Sequence, residues 1–454
     1  MKLLSRRNFI KTGAAGSLGM LVSGRANASG IPETSPVIQV RNPLNRKPVS
    51  LIIDDSTALV NLAYYGIPQF KEVFPAQYLQ DWTRLPREIP DDFVREFGDW
   101  CKAKGIKGKY SMVPYPACTG WLHRFIPGWT EKQLRESLAL VRDFMQPDWD
   151  IHPELISHTR VINIKTGLPF PETTPNFMEN WEWSQDKSAD ELGSYIAYAL
   201  NILKEAGLTC EGMTTPGGFG SRNMENLALG TQQAVQEVYH TGLSHFFRDV
   251  ITDPAKSVEP QLFHVSGLES GDPKCAVHII ACTDDWFGGW DGLTPGNPDL
   301  LITPDLQKGR LPEVLDRGEP AIIACHWPGL YFNGDKTGFN IFKEVVKRLE
   351  RKYNDLVWMK VSDIARYWAA KKLTRIESNG KQVVIKAPFA TSRFTLSISS
   401  ACKAVKLISS GGQTDFKKET DIFKLDVNTF VPGRKESMIC FDLPQGESSL
   451  EIYR

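Results

Sequence analysis

Apolar positions along the chain fall into two alternating textures. Short apolar-rich runs, bounded by polar residues, have the length and β-branched content of buried strands: Val49 to Ile53, Ile106 to Val113, Ile151 to Ser157, Cys210 to Thr214, Leu243 to Phe247, Ala276 to Cys282, Ala321 to Cys325 and Leu356 to Met359. Between them the spacing becomes helical. Phe93, Phe97, Trp100 and Cys101 follow Pro90-Asp91-Asp92; Leu134, Leu138 and Val141 follow the cap Thr130; Leu192, Tyr195, Ile196, Ala199 and Leu203 lie between the cap Ser188 and Gly207. Asn223 to Tyr239 and Phe339 to Tyr353 read as further helices, and Ser362 is expected to cap a last one through Lys371.

Strand and helix alternating seven or eight times predict an α/β fold, a (β/α)7–8 barrel. No G-x-G-x-x-G follows the first strand, where the chain reads Asp54-Asp55-Ser56, so a dinucleotide fold is disfavoured. The connection rich in aromatics, Tyr64 to Trp82, is long enough to suggest a functional loop. From Lys372 the helical period disappears. Short alternating stretches separated by Gly and Pro turns, such as Gln382 to Ile385, Arg393 to Ile398 and Met438 to Phe441, predict a small C-terminal β-sandwich. The expected organisation is a leader over 1–28, a barrel over 29–371 and a sandwich over 372–454, with the Pro-rich stretch to Pro48 as a linker or barrel edge.

Composition changes this picture little. In 454 residues, 41% hydrophobic, there is material for a large core, and 53 Lys+Arg against 53 Asp+Glu does not favour a nucleic-acid partner. Five of the basic residues (Lys2, Arg6, Arg7, Lys11 and Arg25) precede Ala28 with no acid among them. Together with a short Gly-rich apolar middle and Ala26-Asn27-Ala28, they read as a cleavable export signal rather than an integral membrane segment. Ser5-Arg6-Arg7-Asn8-Phe9-Ile10-Lys11 resembles the twin-arginine motif, which implies the twin-arginine export machinery as a partner and a periplasmic or secreted location. Eight cysteines without a C-x-x-C pair indicate neither a disulfide scaffold nor a zinc ribbon.

The candidate chemistry gathers at the strand ends. Asp54-Asp55 close the first strand, and two adjacent carboxylates call for a neutralising cation, with a strand-end cap as the plain alternative. Tyr115 follows the second strand, His152 and His158 flank the third, Thr215-Pro216-Gly217-Gly218 follow the fourth, and His245 and Arg248 mark the fifth. Asp284-Asp285-Trp286 end the sixth, and His326-Trp327 the seventh. The carboxyl ends of barrel strands are where barrel enzymes build active sites. Tyr115, Pro216, Gly217, Asp285, Trp286 and Trp327 are expected to line a substrate site, the tryptophans as sugar-stacking platforms. His123, His240, His264 and His278 have no such context and read as structural.

On these residues the chain resembles the polysaccharide deacetylase-like (NodB-homology) superfamily of distorted (β/α) barrels. Ile52-Ile53-Asp54-Asp55 is similar to its first motif, Glu154 to Thr159 to half of its two-histidine motif, Thr214 to Gly218 to its Arg-x-Pro motif without the arginine, and Ile322 to His326 to its last motif. The resemblance implies Asp54 as catalytic base, His326 as general acid, and a divalent metal ion, zinc by preference, on Asp55 and His158. The second histidine is expected four residues on, where Ile162 stands, so His152 is the substitute ligand. The implied function is metal-dependent hydrolysis of a carbohydrate, removing acyl groups from a poly- or oligosaccharide. A metal-independent glycoside hydrolase pairing Asp54 or Asp55 with Asp284 or Asp285 is one alternative. A barrel that binds carbohydrate without turnover is the other.

Overall fold

The computed structural model describes residues 36–55, 58–379 and 382–453; the expected leader over 1–28 lies outside the described residues. Pro36 to Arg454 make one compact unit. Its larger part is a ring of seven strands in chain order: Lys47–Asp54, Gly108–Met112, Trp149–Pro153, Gly212–Thr214, Leu243–Val250, Lys274–Ala281 and Ala321–His326. Neighbours pair in parallel, and the last returns to the first in register, with Ala321 opposite Val49 and His326 opposite Asp54.

Two joints distort the ring. Trp149–Pro153 meets Gly212–Thr214 through a single parallel bridge between Glu154 and Thr214. The strands Lys274–Ala281 and Ala321–His326 are joined by the Cys282 N–H donating to the Ile322 carbonyl at 2.7 Å, while the antiparallel strand Gln261–Ser266 occupies the lower edge of the former. An eighth short strand, Leu356–Trp358, pairs with the start of the first.

Alternation along the strands sorts the side chains. Val49, Leu51 and Ile53 face outward into the core shared with the surrounding helices, as do Tyr110, Met112, Ile151, Met213 and Phe246. The helices that cover this core include Asp91–Lys104, Ala189–Glu205, Met224–Tyr239 and Thr337–Lys352. Thr130 and Ser188 each form a complete capping box, so those two helix starts were legible from the S/T-x-x-E/Q spacing.

The C-terminal segment supplies nine of the ten strands of two five-stranded sheets, antiparallel except where Lys417–Lys418 runs parallel to Thr429–Val431. Val383 and Ile385 of one and Leu396, Ile439 and Phe441 of the other share an apolar cluster. That cluster continues through Tyr367 and Trp368 of the helix Val361–Leu373 to Ile52 and Ile322 inside the ring.

Several expectations are corrected. Ile38–Val40, placed in the linker or barrel edge, pairs with Thr391–Ile398 of a C-terminal sheet. The connection rich in aromatics contains a helix, Leu62–Val73, despite Pro68. Ser362 does not cap the last helix: it lies inside the first turn, and its N–H and hydroxyl both donate to Asp150. Seven of the eight cysteines are buried, Cys118 being the exception. No helix among the described residues is long and apolar enough to cross a membrane.

Candidate metal centre and catalytic cleft

Asp54 is the last inward-facing residue of its strand and is 4% exposed. Its Oδ1 accepts from the Lys109 ammonium and, at 2.7 Å, from the Ser111 hydroxyl. Lys109 is fully buried, and its ammonium also reaches Ser111 Oγ at 2.6 Å and Thr214 Oγ1 at 2.7 Å. Three donors thus meet three acceptors, which is how a charged lysine is tolerated inside a ring.

Asp55 follows in a left-handed conformation, φ 53°. Strict strand alternation would send Asp55 away from Asp54; the positive φ instead brings it over the same mouth. Its Oδ1 lies 2.5 Å from His158 Nε2, and its Oδ2 lies 3.8 Å from His326 Nε2. Glu154 Oε1 is 3.3 Å from His158 Nε2, and Glu154 Oε2 accepts the Asp55 N–H at 2.9 Å. Asp55, Glu154 and His158 are all buried, and each offers one ligand atom within 4.8 Å of the others.

The three buried groups shift one another's ionisation. Burial alone would lower the His158 pKa, yet the carboxylates of Asp55 and Glu154 drive it well above the usual histidine range. Burial and the charges of Asp54 and Asp55 raise Glu154. Burial works against Asp55 as well, but His158 and His326 hold it below the usual carboxylate range. Asp55 Oδ1 has no partner of hydrogen-bonding geometry. Two carboxylate oxygens and one imidazole nitrogen converging on a point suit a divalent ion of the zinc, manganese or nickel kind.

His152 is not in this set. It is fully buried two residues deeper on the same strand, where its Nε2 lies 2.8 Å from His245 Nε2. Burial, then the neighbouring charges, lowers His245 to about 3, so that member of the pair is neutral. The expected two-histidine pair is not formed; the candidate ligands four residues apart are Glu154 and His158, while Ile162 is buried and its N–H donates to the Tyr195 hydroxyl. The clue was in plain view, because Glu154 stands four residues before His158.

His326 ends the seventh strand opposite Asp54, with its Nδ1 2.5 Å from Asp285 Oδ1. Burial opposes its protonation, but Asp285 and Asp55 outweigh that and raise it to about 10. A cleft of about 540 Å³ opens above these groups. Asp54, Asp55, Glu154, His158, Asp285 and His326 face it, as do Gly217 and Arg248.

Of the residues expected to touch substrate, Asp285 and Gly217 line the cleft. Pro216 is buried beside it without lining it. Tyr115 does not reach it and stacks on Trp121 with ring centroids 4.0 Å apart. Trp286 packs half-buried against the core. Trp327 is fully buried among Phe93, Phe97 and Tyr110, so it cannot be a sugar platform. The aromatic wall comes instead from Phe70, Tyr78 and Trp290, two of them from the long connection after the first strand.

No family model matches the sequence, and no curated protein matches it. Among solved structures, similarity extends to a mutant of a CE4 family pseudoenzyme at 10% identity, covering 72% of this chain and 70% of that one with a TM-score of 0.30. It extends to the PuuE allantoinase at 14% identity, over 71% of this chain and 90% of that one, TM-score 0.36. It extends also to a candidate glycoside hydrolase/deacetylase from Parabacteroides distasonis at 10% identity, over 79% and 82%, TM-score 0.40. These likenesses are remote, so the chemistry is read from the side chains.

Proposed function

We propose that this chain is a divalent-metal-dependent hydrolase that removes acyl groups from a carbohydrate. The observation that carries the reading is the convergence of Asp55, Glu154 and His158 between a carboxylate, Asp54, and an imidazole, His326, at one cleft mouth. Asp55, Glu154 and His158 would hold the ion. Once bound, it would polarise an acyl carbonyl and lower the pKa of water.

The remaining steps belong to the chain's own groups. Asp54, oriented by its bond from Lys109, accepts a proton as the water oxygen bonds to the acyl carbon. His326, held protonated and oriented by Asp285 at Nδ1, gives its Nε2 proton to the amine or alcohol as the carbon–nitrogen or carbon–oxygen bond breaks. The acyl group leaves as a carboxylic acid. The glycosidase alternative would need Asp284 or Asp285 as a free acid or nucleophile; Asp285 is committed to His326, which leaves Asp284, whose Oδ1 accepts the Asp285 N–H at 2.9 Å, as its candidate.

Metal analysis tests the reading. Protein incubated with zinc and then desalted is expected to retain one ion per chain, and Asp55→Ala to retain none. Turnover of an acetylated amino-sugar oligosaccharide should vanish with chelator and return with the ion. Retention of no stoichiometric ion by the unaltered protein would overturn the proposal. Substrate contact on the aromatic wall is tested by Trp290→Ala. Loss of one such contact is expected to raise KM about two- to tenfold with kcat nearly unchanged. An unchanged KM would remove Trp290 from the sugar site.

A further inference from the structure

Glu179 lies outside the cleft and takes no part in the chemistry above. It is fully buried, on a segment paired with the ligand loop: the Glu179 N–H donates to the Thr159 carbonyl at 2.7 Å, and the Val161 N–H to the Phe177 carbonyl at 2.9 Å. Its carboxylate receives the backbone of that loop. Oε1 accepts from the N–H of Ile156 at 3.2 Å and of Ser157 at 3.1 Å. Oε2 accepts from Ser157 at 3.1 Å and from His158 at 2.6 Å. The Tyr195 hydroxyl completes the set with a bond to Oε1 at 2.5 Å.

Three successive N–H groups turned onto one anion form a concave backbone nest. Such a nest needs unusual dihedrals, and the loop has them: Leu155 at φ 51° and His158 at φ 64°. A non-glycine residue in the left-handed region is strained and persists only when its surroundings dictate it. Glu154 and His158 are the two ends of this loop. The direction of both ligand side chains therefore depends on a backbone that Glu179 holds.

The geometry points to Glu179 as the positioning residue of the metal centre, acting through the loop backbone rather than by touching the ion. This rests on the metal reading above. Outer-shell partners that orient ligands typically contribute about 10–100-fold in metal affinity. Glutamine at this position keeps the volume but turns an amide N–H towards backbone donors, so the nest loses one of its two acceptor oxygens.

The test uses the full chain and zinc ions alone, competed against a chromophoric chelator, with Glu179→Gln, Glu179→Asp and Tyr195→Phe. Glu179→Gln is expected to weaken zinc binding about 10–100-fold. Glu179→Asp, which keeps the charge, is expected to fall between it and the unaltered chain, and Tyr195→Phe, which leaves the backbone bonds in place, to change binding less than Glu179→Gln. Turnover by Glu179→Gln should recover as zinc is raised, which a merely unstable fold would not show. Amide hydrogen exchange supplies the second readout: protection at Ile156 to His158 should drop in Glu179→Gln while the ring strands keep theirs. Unaltered affinity and unaltered exchange would overturn the inference. If the unaltered chain binds no zinc but exchange still rises locally in Glu179→Gln, the proposed function fails and the hold on the loop stands. If Glu179→Gln does not fold, Glu179→Asp decides: zinc affinity and exchange equal to those of the unaltered chain would overturn the inference.

Discussion

Asp54→Asn is expected to lower kcat by about 10²- to 10⁴-fold, the usual contribution of a positioned general base. The substitution is nearly isosteric, and Asn Oδ1 can still accept from Lys109 and Ser111. It also takes the counter-ion from the buried Lys109, which is expected to cost about 3–5 kcal/mol of stability, so the rate is compared on protein shown to be folded. Because the proposed ligands are Asp55, Glu154 and His158, without Asp54, bound zinc is expected to stay at one per chain. Single-turnover rates on an acetylated oligosaccharide, with metal content measured on the same sample, check this. A rate within threefold of the unaltered enzyme would remove Asp54 from the chemistry and return it to the role of a strand-end carboxylate.

Lys109→Met is the second large effect, and it falls on stability. It leaves the Asp54 carboxylate, 4% exposed, without its ion-pair partner. Breaking a buried pair by removing one member typically costs about 3–5 kcal/mol. Asp54→Asn combined with Lys109→Met removes both charges and should regain most of that loss, since replacing a buried pair as a whole is often close to neutral. Thermal and urea unfolding of the four proteins closes the cycle. Equal stability of the single and double variants would mean that Lys109 is held by Ser111 and Thr214 and owes little to Asp54.

The two effects separate what the cleft needs. Asp54 carries a charge for the reaction, and Lys109 makes that charge bearable in a ring interior. Burial of either alone is unfavourable, and each is tolerated because the other is within bonding distance.

Much of the ring was legible in advance because burial leaves a strong mark on strands. Runs such as Leu51 to Ile53 and Ile322 to Cys325 are apolar because one face meets helices and the other a closed interior. Their ends are polar because the chain there leaves the core for the mouth. That is why Asp54, Asp55, Asp285 and His326 could be placed at one end from position alone. The aromatic wall was half visible: the long connection after the first strand drew attention, but Phe70 and Tyr78 could not be told from packing residues.

What went astray concerns side chains whose role depends on neighbours distant in sequence. Trp327 adjoins His326, yet its direction is set by the helix it opens, and it points into the core. His152 and Glu154 share the inward face of one strand, roughly 6–7 Å apart along it. That step decides whether a side chain meets His245 in the interior or Asp55 at the mouth.

By itself, the sequence determined the class of the fold and the end of the ring where polar chemistry collects, because periodicity and strand ends are local properties. Only the tertiary structure decided the ligand set, the cation beneath Asp54 and the clamp on the ligand loop. Lys109 is an ordinary lysine until Asp54 and Thr214 arrive from two other strands to join Ser111 of its own. Glu179 is an ordinary acid until the backbone of Ile156 to His158 folds around it. A buried charge is defined by what surrounds it, and those surroundings are assembled from parts of the chain that no local pattern connects.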